Sequence, residues 1–297
     1  MSRILAVLYS PIDIDMKAIA ERAAAGRAEV RIIDPRDAAT IPADAEALIG
    51  DVRPKHISLC PNVKWVQTSF AGVERIVPEV KKIPGAVLTN ASGAFGEGIS
   101  EYLLMYILML QNRARDYIAS QDKREWRPLG VSPMLAGSTV AVLGLGDLGG
   151  VFARKIKALG ASVRGVKRTA GAKPDYVDEL YTTDELDKAL DGADIVALCL
   201  PDTAATEKIL SRERIFALKQ GAIIVNAGRG GAIDQPALTD ALKQNRVLAG
   251  LDVTTPEPLP SDDPLWTAPN VIITPHISGL GASAYATRFS AALFERN

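Results

Sequence analysis

Residues Ser138 to Arg168, STVAVLGLGDLGGVFARKIKALGASVRGVKR, decide the fold. Val140 to Leu143 is an apolar run too short for a helix and β-branched at alternate places, which predicts a buried strand. Gly144-x-Gly146-x-x-Gly149 follows at once, with Asp147 between the second and third glycines. Leu148, Phe152, Ile156 and Leu159 then recur at helical spacing, and Gly160 stands where a C-cap is needed. Ser162 to Val166 reads as a second strand. The whole is a βαβ unit whose tight turn brings backbone N–H groups and a helix N-terminus up to a pyrophosphate. In a chain with 24 glycines a bare G-x-G-x-x-G marks only a turn. The flanking strand and helix make Gly144, Gly146, Asp147 and Gly149 a candidate dinucleotide site.

The end of the second strand carries the next signal. An acidic side chain there would bind the ribose 2′-OH of NAD. Lys167, Arg168 and Thr169 stand there instead, and two cations with a hydroxyl suit a 2′-phosphate. NADP(H) is therefore expected over NAD(H), with NAD(H) possible; the competing reading is a pair of solvated cations at a strand end.

The chain has 297 residues, 47% of them hydrophobic, enough for two domains with separate cores. Its net charge of −1 gives no support to a nucleic-acid or membrane-surface partner. Cys60 and Cys199 lack metal-ligand spacing, so no metal is expected, and a reduced, cytoplasmic protein is. The longest apolar run, Tyr102 to Leu110, is far short of the roughly twenty residues of a membrane span.

Strands are also expected at Ile4 to Tyr9, Val30 to Ile33, Ala47 to Ile49, Lys64 to Thr68 and Ala86 to Thr89, with Asp13 or Asp15 capping the first helix. Small residues from Ser69 to Glu74 leave backbone N–H groups open to an anion, though a plain strand-to-helix turn fits as well. The helix from Tyr102 to Leu110 lacks a polar face and must be covered by both domains or by another subunit, which makes it a candidate hinge and dimer element. Beyond Arg168, Thr182 and Glu185 form a capping-box pattern, and strands are expected at Ile195 to Leu200, Ala222 to Ala227, Val247 to Val253 and Val271 to Thr274. Ser211 and Asp234 mark helix starts. The expected fold is α/β, with parallel sheets in two domains.

In an open parallel α/β sheet, ligands lie outside the carboxyl ends of the strands. Arg229, Glu257 and His276 each follow such an end, so distant positions converge on one rim. Reduction of a 2-oxo acid needs a cation to hold the carboxylate and polarise the carbonyl, and an acid to protonate the developing alkoxide. The planar fork of Arg229 suits the first task, and the imidazole of His276, which changes charge near neutral pH, suits the second. A carboxylate at Glu257 would favour the imidazolium and fix the ring. Read separately, Arg229 could bind a surface carboxylate, Glu257 could be solvated and His276 structural. His56, beside Lys55 with no acidic neighbour in sequence, is taken as structural or solvated.

The blocks VLGLGDLGG, VNAGRGGAIDQPAL, GLDVTTPEPLP and ITPHISG resemble those of the D-isomer-specific 2-hydroxyacid dehydrogenases, particularly the glyoxylate/hydroxypyruvate reductase branch, and the similarity runs over nearly the whole chain. The resemblance implies that Arg229, Glu257 and His276 are catalytic and that Ala71 and Gly72 offer backbone N–H groups to the substrate carboxylate. It further implies cofactor contacts at Leu148, Lys167, Arg168, Thr169, Leu200, Pro201, Thr206, Ala227 and Asp252, the last through the nicotinamide carboxamide. NAD-dependent relatives carry Asp where Lys167 stands, and relatives usually continue past the point where this chain stops at Asn297. The family fold, two Rossmann-like domains, inserts a nucleotide-binding domain, here 99–279, into a flavodoxin-like substrate domain, here 1–98 plus 280–297. A homodimer is implied, as is domain closure over the substrate.

The expected activity is hydride transfer between NADP(H) and a small 2-oxo or D-2-hydroxy acid. A nucleotide-sensing, corepressor-like binding protein of the same fold is the alternative. Formate dehydrogenase relatives place glutamine where Glu257 stands, and the long phosphoglycerate dehydrogenases carry extra regulatory domains, so both rank lower. Phe70, Phe95 and Trp126 could narrow the pocket or accept an aromatic substrate, and spacing does not choose between them.

Overall fold

A computed structural model of the protein describes residues 3–8, 16–37, 40–279 and Ala292. Tyr9, Asp13, Asp15 and nearly all of 280–297 lie outside the described residues. Two compact units meet in the chain between Phe95 and Gly96, just before the division expected from the sequence at 98.

The first unit runs β1 (Arg3–Leu8), α1 (Met16–Ala24), β2 (Ala28–Ile33), β3 (Ala45–Gly50), α2 (Pro54–Ser58), β4 (Trp65–Thr68), α3 (Val77–Val80) and β5 (Val87–Thr89). Its five strands are parallel in the order β2-β1-β3-β4-β5, the flavodoxin-like arrangement. Leu48, Val66, Ile57 and Val80 build the core on one face of the sheet, and Leu5, Val7, Ala20 and Ile49 build it on the other.

The second unit runs α4 (Gly96–Gln111), α5 (Ala114–Asp122), β6 (Thr139–Leu143), α6 (Asp147–Ala158), β7 (Ser162–Lys167), β8 (Glu179–Thr182), α7 (Leu186–Leu190), β9 (Ile195–Leu198), α8 (Arg212–Ala217), β10 (Ala222–Asn226), α9 (Gln235–Lys243), β11 (Val247–Leu251) and β12 (Val271–Ile273). Seven parallel strands lie in the order β12-β11-β10-β9-β6-β7-β8. The middle strands are buried on both faces, which is why they read as unbroken apolar runs. Period-two alternation splits each of them between two cores. Val140 and Val142 meet Leu103, Tyr106 and Ile107 of α4 and Phe152 and Ile156 of α6, whereas Ala141 and Leu143 share a core with Leu186, Ile215, Leu238 and Leu242 from α7, α8 and α9.

The helix starts follow their side chains. Ser211 Oγ accepts from Arg214 N–H, Asp234 Oδ1 accepts from Ala237 N–H at 3.2 Å, and Glu185 Oε2 accepts from Thr182 N–H at 3.3 Å. After Thr182 the chain makes one 3₁₀ turn before α7 begins. Several strands end sooner than their apolar runs: Cys199 and Leu200 lie past β9, and Asp252 and Val253 lie past β11. These extra residues leave the sheet and form its rim.

Candidate active site

The order of the second sheet reverses direction between β6 and β9, and at such a switch point the loops leaving two neighbouring strands part to form a crevice. The glycine turn fills one side of it. A Cβ on Gly144 would lie 2.6 Å from Cys199 O, and one on Gly149 only 1.8 Å from Gly144 O, so both positions are closed by backbone. A Cβ on Gly146 would meet nothing within 4 Å. Gly146 therefore opens a space at the N-terminus of α6, where N–H groups lack intrahelical partners and the helix dipole favours an anion. Next to it, Asp147 points to α4, its Oδ2 accepting from Gly96 N–H at 3.1 Å. Leu148 is half-buried behind the turn.

Other expected cofactor residues line the same rim. Lys167 ends β7 half-buried, and Arg168 and Thr169 follow it exposed. Among the described residues, no carboxylate forms an ion pair with either cation. Leu200 and Pro201 leave β9, and Thr206 Oγ1 lies 2.7 Å from Pro201 O, folding that loop back on itself. Ala227 is buried just past β10. Cys199 sits behind the turn, where burial pushes its thiol up to about 12 and keeps it protonated.

Arg229, Glu257 and His276 follow the ends of β10, β11 and β12, three adjacent strands. Asn226, fully buried, shapes the first of these loops: its Oδ1 accepts from Gly228 N–H at 3.0 Å, and its Nδ2 donates to Arg229 O at 2.9 Å. Arg229 follows in extended backbone and donates from a guanidinium nitrogen to Gly228 O at 2.8 Å. The loops interlock. A Cβ on Gly228 would lie 2.7 Å from Leu200 O, and one on Gly230 2.0 Å from Thr254 O. Thr254 N–H in turn donates to Glu257 Oε1 at 3.1 Å, and Thr255 N–H to Gln235 Oε1 at 2.9 Å.

Glu257 and His276 meet directly, with Glu257 Oε2 3.0 Å from His276 Nδ1. A carboxylate only accepts, so Nδ1 carries the hydrogen and Nε2 is left to exchange a proton with a ligand. The imidazole remains about half exposed, at 52%, and is therefore reachable. His276 has φ 53°, a left-handed backbone, and its N–H donates to Asp252 O at 2.8 Å. Asp252 is 1% exposed. Its Oδ1 accepts from Thr274 Oγ1 at 2.6 Å and Ile277 N–H at 2.9 Å, and its Oδ2 from Ser278 N–H at 2.9 Å and from the Ser278 hydroxyl. Four donors match the four lone-pair sites of a carboxylate, and a carboxamide reaching Asp252 would have to share one of them.

Asn226 and Gln235 are not among the site residues expected from the sequence. An Asn-Ala-Gly step after an apolar strand carries the Asx-turn signal that would have found the first. No local signal marks Gln235, whose partner is twenty residues away. Ala71 and Gly72 belong to the first unit, in the stretch after β4. There Asn90 Nδ2 donates to Ala71 O at 2.8 Å, and the Ala71 side chain is exposed.

Among the described residues no cluster of three or more His, Cys, Asp or Glu could hold a metal, and no helix is long and apolar enough to cross a membrane. The family model for the D-isomer specific 2-hydroxyacid dehydrogenase NAD binding domain matches residues 104–278. Glyoxylate/hydroxypyruvate reductase A of Serratia proteamaculans is 33% identical over 263 residues, 86% of this chain and 82% of that protein. A D-isomer specific 2-hydroxyacid dehydrogenase family protein from Aeromonas salmonicida has a solved structure that superposes with a TM-score of 0.83 at 31% identity, covering 100% of this chain and 94% of the other. The NADPH-dependent glyoxylate/hydroxypyruvate reductase of Sinorhizobium meliloti, solved with NADP and sulfate, superposes with a TM-score of 0.78 at 28% identity, covering 98% and 92%.

Proposed function

Because the chain belongs to the D-isomer-specific 2-hydroxyacid dehydrogenase family, whose members are oxidoreductases, we propose that it is an NADPH-dependent reductase of small 2-oxo acids, glyoxylate or hydroxypyruvate foremost, yielding the D-2-hydroxy acid. The observation that carries this reading is the Glu257–His276 pair, 3.0 Å apart at the strand-end rim that also bears Arg229. The open space at Gly146 suits a pyrophosphate, and Lys167 with Arg168 suits a 2′-phosphate. The Sinorhizobium reductase, named as NADPH-dependent, supports the same choice of cofactor.

Leu148, Leu200, Pro201, Thr206, Ala227 and Asp252 are assigned to the remaining cofactor contacts, and in the first unit the backbone N–H groups of Ala71 and Gly72 to a substrate carboxylate. When bound, reduced nicotinamide supplies the hydride. Arg229 grips the substrate carboxylate and draws electron density toward the carbonyl oxygen. His276 gives that oxygen its proton from Nε2, and Glu257, bonded to Nδ1, holds the ring in register and stabilises it while charged. In the oxidative direction neutral Nε2 takes the proton back.

Two further assignments follow. Leu108, Tyr117, Ile118, Trp126, Val131 and Met134 are large apolar side chains exposed on α4, on α5 and in the segment after them, which supports a homodimer built on that surface. The free thiols of Cys60 and Cys199 support a reducing, cytoplasmic setting.

The test is consumption of NADPH and of NADH with glyoxylate, hydroxypyruvate, pyruvate and phenylpyruvate. Turnover is expected with the first two and a higher kcat/KM with NADPH; Arg229→Ala should lose nearly all of it. NADPH binding with no acid reduced would overturn the reductase reading in favour of nucleotide sensing, and full activity of Arg229→Ala would remove the mechanism.

A further inference from the structure

Tyr106 is wholly buried in α4, and its ring lies against β11 at Gly250, where a Cβ would come within 2.5 Å of Tyr106 Cβ and Cγ. That glycine leaves room for the ring, and the ring carries its hydroxyl to Thr274, with which it is hydrogen-bonded. The polarity of the bond is forced. An ionised carboxylate only accepts, and Thr274 gives its single proton to Asp252 Oδ1, beside the N–H groups of Ile277 and Ser278. Thr274 Oγ1 is then left to accept, and Tyr106 is the donor. Burial pushes the phenol up, so it keeps that proton throughout the neutral range.

The result is a directed chain from Tyr106 to Thr274 to Asp252, ending on the segment that holds His276. Thr274 stands two residues before His276, and Ile277 and Ser278 stand just after it, so the chain grips both sides of the left-handed residue. We propose that Tyr106 is a positioning residue for His276: its hydroxyl fixes Thr274, and through Thr274 and Asp252 it fixes the turn that lays the imidazole against Glu257. This deepens the reading above and rests on His276 being the proton carrier.

Tyr106→Phe removes one oxygen from a site whose volume is otherwise kept. It should lower kcat about tenfold or more, since small misplacements of a reacting group cost up to roughly 10²-fold. Thr274→Ser keeps both bonds and should retain near-normal kcat, whereas Thr274→Val should match Tyr106→Phe. The double variant Tyr106→Phe/Thr274→Val should be no slower than Thr274→Val alone, as expected of residues acting through one chain.

A second readout is independent of turnover. The chain has two histidines, so ¹⁵N-histidine labelling gives two ring systems by NMR. In Tyr106→Phe the hydrogen-bonded Nδ1–H signal of His276 should be lost to exchange, with the Nε2–H signal of His56 unchanged. An unaltered His276 signal with unaltered kcat, or additive effects in the double variant, would overturn the proposal. Full activity of His276→Gln would instead overturn the catalytic reading, and the NMR measurement would still decide whether Tyr106 anchors the turn.

Discussion

His276 keeps a left-handed backbone that costs a non-glycine residue roughly 1–2 kcal/mol, and the bond from its own N–H to Asp252 O holds it there. His56 shows the opposite use of the same side chain. It is fully buried, Arg53 N–H donates to its Nδ1 at 3.1 Å, and its Nε2–H faces Pro35 O at 3.0 Å, so the neutral ring satisfies both partners. A proton on Nδ1 would face another donor, and burial pushes the imidazole down from its ordinary value. The folded protein therefore takes up this proton at lower pH than the unfolded chain. Its contribution is complete above about pH 6.5 and is lost as the pH falls through the folded value. Urea midpoints of the protein and of His56→Gln, compared between pH 8 and pH 5, should show the variant less stable at pH 8 by about 1–2 kcal/mol but with a shallower fall toward acid. Parallel slopes would show that His56 contributes nothing to the acid limb.

The glycine turn between β6 and α6 separates structural from ligand-facing glycines. Gly149→Ala must displace the backbone at Gly144 and should lower the melting temperature of the cofactor-free protein. Gly146→Ala, at φ −74° with open space around it, should melt as the parent does yet bind NADPH at least tenfold more weakly, read by the fluorescence of the bound dinucleotide. Equal affinity in Gly146→Ala would argue against a pyrophosphate there. At this scale the sequence was largely readable, because buried parallel strands announce themselves as apolar runs between glycines and caps. β8 was missed. Glu-Leu-Tyr-Thr is an edge strand with no fully buried residue, and nothing in its alternation separates it from a loop. Apolar runs outlast the strands for the converse reason: Leu200 and Val253 are apolar because they pack at the rim. The Glu257–His276 pair was legible through its strand-end positions. The bonds around Asp252 were not, since its donors lie more than twenty residues along the chain.

At the scale of the whole molecule, the apolar surface on α4, α5 and the segment beyond bears Trp126 fully exposed and Val131 nearly so, at 102% and 95%. Side chains of this size seldom face water together without a partner, and a second copy is the occupant assigned above. Sedimentation velocity should give a dimer at micromolar concentration, and Ile118→Glu with Trp126→Ala should shift it to monomer; a parent that sediments as a monomer would refute the assignment. The interlocked rim described for Gly144, Gly228 and Gly230 has a consequence for descent as well as for design. Each is hemmed in by a carbonyl of the architecture itself, whichever acid is being handled. A lineage bred in the laboratory toward new appetites should keep these letters frozen and write its novelty into the outward-facing neighbours, much as a lock is re-keyed without recasting its barrel.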